Sequence, residues 1–175
     1  MTGRTYPDET VDSFPEPPLS FTDGDDREIR VEPSGVDDFD ALVEMYDDFD
    51  PADRAQGIPP VNEDAIREWL DTLLAEGSLN VVAVHGDRVI GHAILVADQA
   101  EAYELAVFVL HDYQGAGIGT TLLEGLLGHG VSEDVERVWL TVERWNEPAI
   151  ALYRKLGFET SNAESFELEM SIRLG

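Results

Sequence analysis

The chain has 175 residues, 43% of them hydrophobic, so one domain of ordinary size can fill a core. Its 37 acidic residues against 11 basic ones give a formal charge of -26, which disfavours binding to nucleic acid or to an anionic membrane surface. Without cysteine it has no disulfide framework, zinc-thiolate site or cysteine nucleophile; with no membrane-length apolar run and no secretory signal, a cytoplasmic protein is expected.

Residues 1–26 combine seven acids with Arg4, Pro7, Pro15, Pro17 and Pro18 and show no sustained period, which predicts an acidic, disordered tail ahead of one domain at 27–175. Seven acids cannot account for a charge of -26, so acidity belongs to the whole surface. Such self-repulsion is small at about 1 M salt, where the Debye length is roughly 3 Å, and the composition resembles that of halophilic cytoplasmic proteins.

Ile29 and Val31 alternate with polar neighbours in a short strand that Pro33 ends. Ser34 stands at a helix N-cap position, and Phe39, Leu42, Val43 and Tyr46 follow at helical spacing to about Phe49. Pro51, Gly57, Pro59 and Pro60 make a loop. Asn62 then caps a second helix with Ile66, Trp69, Leu70, Leu73 and Leu74 as its buried stripe, closed by Gly77. Leu79 to His85 and Arg88 to Ala97 read as a hairpin through Gly86-Asp87, with Tyr103 to Leu110 as a third strand. A glycine loop follows, then a helix with Leu122, Leu123, Leu126 and Leu127 on one face and a strand from Arg137 to Val142, so the strands on either side should be parallel. Asn146 to Leu156 is a fourth helix, and 158–161 and 166–172 are the last strands. The fold class is α/β: a mixed, mostly antiparallel sheet with one parallel crossover and about four helices.

The loop Gln114-Gly115-Ala116-Gly117-Ile118-Gly119 joins a strand to a helix, where unpaired amides and the positive helix end converge on one anionic group. It lacks the lysine of a nucleoside-triphosphate loop, and Thr120 replaces the third glycine of a dinucleotide-binding fingerprint. Gln114, Gly117 and Gly119, together with a second segment from Asn146 to Phe158 (Asn-Glu-Pro-Ala-Ile-Ala-Leu-Tyr-Arg-Lys-Leu-Gly-Phe), resemble the GNAT superfamily of acyl-CoA N-acyltransferases over roughly residues 27–173.

The resemblance implies acetyl transfer from acetyl-CoA to a primary amine, carried by a small molecule or a peptide, by direct attack. It assigns the cofactor pyrophosphate to the backbone of Gly115, Ala116, Gly117, Ile118, Gly119 and Thr120 behind Gln114. It gives the pantetheine arm and acetyl carbonyl to main-chain groups of Val107, Phe108 and Val109, and a cofactor contact to Asn146, which also suits an N-cap. Many relatives carry arginine or lysine inside the loop, where this chain has Gly115 and Ala116; Arg144, Arg154 and Lys155 are the candidate compensating cations, against a plain role as surface charge. Tyr153 is the implied general acid toward the CoA sulfur, against a plain role in the helix's apolar face. Glu104 is the first candidate base, with Glu143, His92 or a water chain as alternatives. Some relatives that acetylate protein N-termini have glutamate where Thr141 stands here. The helix–loop–helix, with Tyr46, Asp50, Asp53, Arg54 and Gln56, is expected to lid the acceptor side. A noncatalytic acyl-CoA-binding sensor is the alternative function, and a homodimer is admitted by the sequence.

Overall fold

A computed structural model describes residues 4–50, 59–75, 77–98, 100–162 and 167–175. In chain order, the strands are β1 (Leu19–Thr22), β2 (Glu28–Pro33), β3 (Leu79–His85), β4 (Arg88–Ala97), β5 (Tyr103–Val109), β6 (Arg137–Glu143), β7 (Glu159–Asn162) and β8 (Glu167–Arg173). The helices are α1 (Phe39–Asp47) and α2 (Glu63–Leu73) between β2 and β3, α3 (Ile118–Ser132) between β5 and β6, and α4 (Glu147–Leu156) between β6 and β7. One eight-stranded sheet has the order β1-β2-β3-β4-β5-β6-β8-β7, and only the β5–β6 pair is parallel. Among the described residues no helix is long and apolar enough to cross a membrane, and no group of three His, Asp or Glu side chains could hold a metal ion.

Alternation along β4 sorts the two layers. A side chain at Gly91 would meet Leu122 of α3, and Leu95 reaches Gly130 of the same helix, so the odd residues face α3. His92 reaches Tyr46 of α1 on the opposite face. The α2 N-cap is as expected: the Asn62 side chain accepts from the Ala65 amide at 2.8 Å. The first helix starts later than Ser34 suggests. The Asp38 carboxylate accepts from both the Ser34 hydroxyl (2.9 Å) and the Gly35 amide (3.3 Å), and a short 3-10 turn at Val36–Asp38 precedes α1.

The N-terminal segment differs most from expectation. Residues 19–22, expected in a tail, form β1, paired antiparallel with β2 from Leu19–Val31 to Thr22–Glu28. Upstream, the Val11 amide donates to Arg173 O (2.8 Å), Ser171 Oγ donates to Thr5 O (2.8 Å) and Arg173 Nε donates to Pro7 O (2.9 Å). Val11, Phe14, Leu19 and Phe21 pack singly on the core. An extended strap needs no hydrophobic period, and its prolines cost nothing where no ladder bond is required.

Gly128 of α3 makes room for this strap: a Cβ there would lie 1.9 Å from Pro15 O. In an isolated helix Gly→Ala gains about 1 kcal/mol. Here Gly128→Ala is expected to lose a net of about 1–3 kcal/mol, the usual cost of overpacking against backbone. Urea unfolding checks this, and an unchanged or raised midpoint would contradict the strap's position.

Candidate active site

The site is built where β5 and β6 part. The two strands pair only at Tyr103–Val138 and Glu104–Trp139, so the later residues of β5 have a partner on the β4 side alone. The Leu110 amide donates to Ile90 O at 2.9 Å, toward β4. By alternation, Val107 and Val109 turn their N–H and C=O groups into the gap. The Val109 carbonyl accepts from Gln114 Nε2 at 3.0 Å, so this glutamine ties the loop to the end of β5. Between them the Phe108 ring points to the α1–α2 layer, with ring centroids 5.5 Å from Trp69, 5.6 Å from Tyr46 and 6.1 Å from Phe49. Its side chain therefore packs the α1–α2 layer onto the sheet.

The loop that follows needs glycine at two positions. Gly115 has φ +74° and Gly117, the residue before α3, has φ +87°, a region that side chains disfavour. Space is open where Cβ atoms of Gly115, Gly117 and Gly119 would be. The amides of Ile118, Gly119 and Thr120 belong to the first helical turn and have no intrahelical acceptor, while the Ile118 side chain is buried in the core. Ala116 is also buried, and its carbonyl accepts from the Gly24 amide. Main-chain donors, a helix N-terminus and open space above glycines fit a pyrophosphate group without help from a side chain.

Arg154 and Lys155 lie in the last turn of α4, at the far end of that helix from Asn146. The cation that reaches the loop is one the sequence reading missed. Arg27, from the turn after β1, lies over the Tyr113 ring at 4.1 Å and donates from Nη1 to Asp112 O at 3.2 Å. No local pattern signals a contact spanning 85 residues.

Tyr153 and Asn146 come together at a cleft of ≈ 190 Å³, lined also by Thr141, Val142, Glu143, Ala149 and Glu167. Asn146 caps α4, its side chain accepting from Ala149 N at 3.4 Å, and lines the cleft as well. Tyr153 is largely buried, and burial pushes its phenol up to about 12. Glu104 lies at the fork of β5 and β6, on the α1–α2 side of the sheet with His92 and Phe108. Partial burial is the main cause that holds its carboxyl above the usual range, with Asp98 and Glu167 adding to the rise and Arg4 opposing it. Arg4 is fixed 3.3 Å from the Trp139 ring centroid and ion-paired to Glu169.

His92 is corrected as a candidate base. It is fully buried, with Tyr46 Oη 2.6 Å from Nδ1 and Asn80 Oδ1 2.7 Å from Nε2, and burial lowers its pKa to about 3. Asn80 Nδ2 donates to Leu73 O (3.0 Å), so Oδ1 is the acceptor for a His92 Nε2 proton, and Nδ1 is left to accept from Tyr46. Tyr46, expected to line the acceptor pocket, is consumed in this buried chain. Asp50 is described, whereas Asp53, Arg54 and Gln56 lie outside the described residues.

Comparison with known proteins places the chain among acetyltransferases. The chain is 39% identical over 85 residues to the [ribosomal protein bS18]-alanine N-acetyltransferase of Salmonella typhimurium, covering 47% of this chain and 56% of the relative. It thus spans about half the length of that relative. It is 27% identical over 138 residues to the L-methionine sulfoximine/L-methionine sulfone acetyltransferase of Pseudomonas aeruginosa, covering 75% and 80%. The GNAT domain of the S. lividans protein PAT superposes with a TM-score of 0.74 at 18% identity, covering 89% and 96%, a likeness of fold. The model of the acetyltransferase (GNAT) family matches residues 39–158, from the start of α1 to the residue after the Gly157 turn. That span takes in the parting strands, the glycine loop and α4 but leaves out β1 and β2, and the chain belongs to the acetyltransferase (GNAT) family.

Proposed function

We propose that this protein is an N-acetyltransferase that moves the acetyl group of acetyl-CoA to a primary amine by direct attack. The observation that carries the reading is the inner edge of β5, without a strand partner past Glu104, opening onto a positive-φ glycine loop. An amide-bearing pantetheine arm can complete that edge as an added strand would, its pyrophosphate falling at the start of α3. Acetyl-CoA supplies a thioester whose carbonyl carbon forms the new C–N bond as the C–S bond breaks.

The chain's own groups do the rest. The main-chain donors of Val107 and Val109 face the gap where the carbonyl oxygen gains charge. Glu104, at the fork and above the ordinary carboxylate range, takes the proton that the acceptor ammonium must lose for the neutral amine to attack. Tyr153 keeps its proton at any working pH, because about 12 lies above a thiol's ordinary value of about 8.5. It therefore acts first as a hydrogen-bond donor to the sulfur as negative charge develops there. The two curated relatives are named for a ribosomal-protein alanine and for small amino-acid derivatives, so both a peptide N-terminus and a free amino acid enter the acceptor set. Some members of the family that acetylate protein N-termini have glutamate where Thr141 stands here, and Glu104 is the carboxylate proposed for the base role in this chain. A cytoplasmic setting at high salt suits the acidic, cysteine-free chain.

A panel of amino acids, polyamines and peptide N-termini, assayed for thiol release from acetyl-CoA in molar potassium chloride, tests the reading. Turnover with at least one amine is expected. Glu104→Gln should lower it about 10²-fold near neutral pH, the usual contribution of a general base. An unaltered rate in that variant removes Glu104 from the mechanism.

A further inference from the structure

The part of the chain outside the family span meets the glycine loop directly. Between β1 and β2 the chain turns tightly, with Asp23 N donating to Arg27 O (2.9 Å) and Asp26 N to Asp23 O (3.1 Å). The Asp23 side chain is fully enclosed and accepts from Asp25 N (3.0 Å), Arg27 N (2.9 Å) and Arg27 Nε (2.7 Å), so the turn and the arginine form one rigid unit. Two residues of this unit, Arg27 and Gly24, reach the loop. Arg27 covers the Tyr113 ring and binds Asp112 O, and the Gly24 amide donates to Ala116 O at 2.9 Å.

The Gly24 contact fixes a peptide plane. In a trans peptide the C=O and the following N–H point in opposite directions. With Ala116 O held toward Gly24, the Gly117 N–H is turned away from the turn. Main-chain N–H groups turned outward can form an anion-binding concavity. Gln114 ties the loop to β5, and the Gly24 contact adds a second hold at Ala116, between the glycines with φ of +74° and +87°. Arg27 is not itself free for a phosphate: Asp23 and Asp25 both pair with it. It acts on the loop by position.

We propose that the β1–β2 turn, through Gly24 and Arg27, is a positioning element that presets the Asp112–Thr120 loop for the acetyl-CoA pyrophosphate. The sequence has no basic residue inside this loop, and the turn supplies rigidity in place of a charged ligand. This rests on the reading of the loop as the acetyl-CoA site.

The test is a calorimetric titration of acetyl-CoA into the full chain and into Arg27→Lys and Arg27→Ala in molar potassium chloride. Thermal melts and steady-state kinetics accompany it. Lysine keeps a cation beside enclosed Asp23, so that variant retains the fold, but it loses the planar face on Tyr113 and the fork that reaches Asp112. Affinity is expected to fall about fivefold in Arg27→Lys and about tenfold or more in Arg27→Ala, the scale of one or two lost contacts to the loop. KM for acetyl-CoA should rise alike, with kcat and the KM for the amine unchanged, a split that general loosening of the fold would not produce. Affinities within twofold of the parent in folded Arg27→Lys overturn the inference and leave the loop reading intact. Failure of the parent chain itself to bind acetyl-CoA overturns both.

Discussion

Tyr153→Phe is expected to lower kcat about 10²-fold, with the melting temperature and the KM for acetyl-CoA little changed. The ring is what packs: it meets Phe158 with centroids 5.9 Å apart and belongs to the core with Ile150 and Leu156, and phenylalanine keeps all of that. Tyr153 lines a cleft together with Asn146 and Thr141. Because burial holds the phenol near 12, no loss of its proton should appear in the parent's rate profile below about pH 10. A deficit in the variant that is constant across this range fits a hydrogen-bond donor to sulfur. The deficit should shrink with acyl donors whose thiol leaving group is more acidic, since such a thiolate needs less help. Full turnover in the variant at every pH would reduce Tyr153 to a packing residue.

The second large effect concerns stability. His92 is neutral and enclosed, with its pKa lowered from 6.5 to about 3, so the unfolded chain binds one proton more than the folded chain between those values. Stability from this group is complete above pH 6.5 and is lost as pH falls toward 3. Between pH 7.5 and pH 5 the loss is about 2 kcal/mol. Acidification also relieves repulsion in a chain of charge -26, so the informative quantity is a difference between proteins. Denaturant unfolding at both pH values should show that a folded His92→Gln variant lacks this component. The variant should also be weaker at pH 7.5 by about 1–3 kcal/mol, because Tyr46 and Asn80 lose a well-placed buried partner. Equal pH dependence in the two proteins would contradict a buried neutral imidazole.

From Arg27 onward the architecture was legible because each element carries a period or a terminator. The leucine face of α3, the alternation in β2 and the Asn62 and Asn146 caps are local signals that tertiary packing reinforces. Glycines in the loop before α3 were legible for a related reason: positive φ at Gly115 and Gly117 restricts the residue type itself. The strap and β1 were not, since Val11, Phe14, Leu19 and Phe21 sit at irregular intervals among prolines and find their partners far along the chain. Ser34 illustrates a competing local choice, its hydroxyl donating to Asp38 instead of accepting a helix amide. Within the candidate site, residue type suggested His92 as a base, but only the fold places it between Tyr46 and Asn80. Arg27 was invisible for the complementary reason, an ordinary arginine whose meaning lies in the Asp112–Ala116 backbone it meets.

The most direct test of the central claim is to follow the acetyl group itself. Acetyl-CoA labelled with deuterium in its methyl group is incubated with the protein and the amine panel in molar potassium chloride, and the products are read by mass spectrometry. The account predicts a labelled acetyl amide on the acceptor, one free CoA thiol for each amide formed and no label on the protein. Tight binding of acetyl-CoA with no labelled amide formed from any amine, or label retained on the protein, would contradict it.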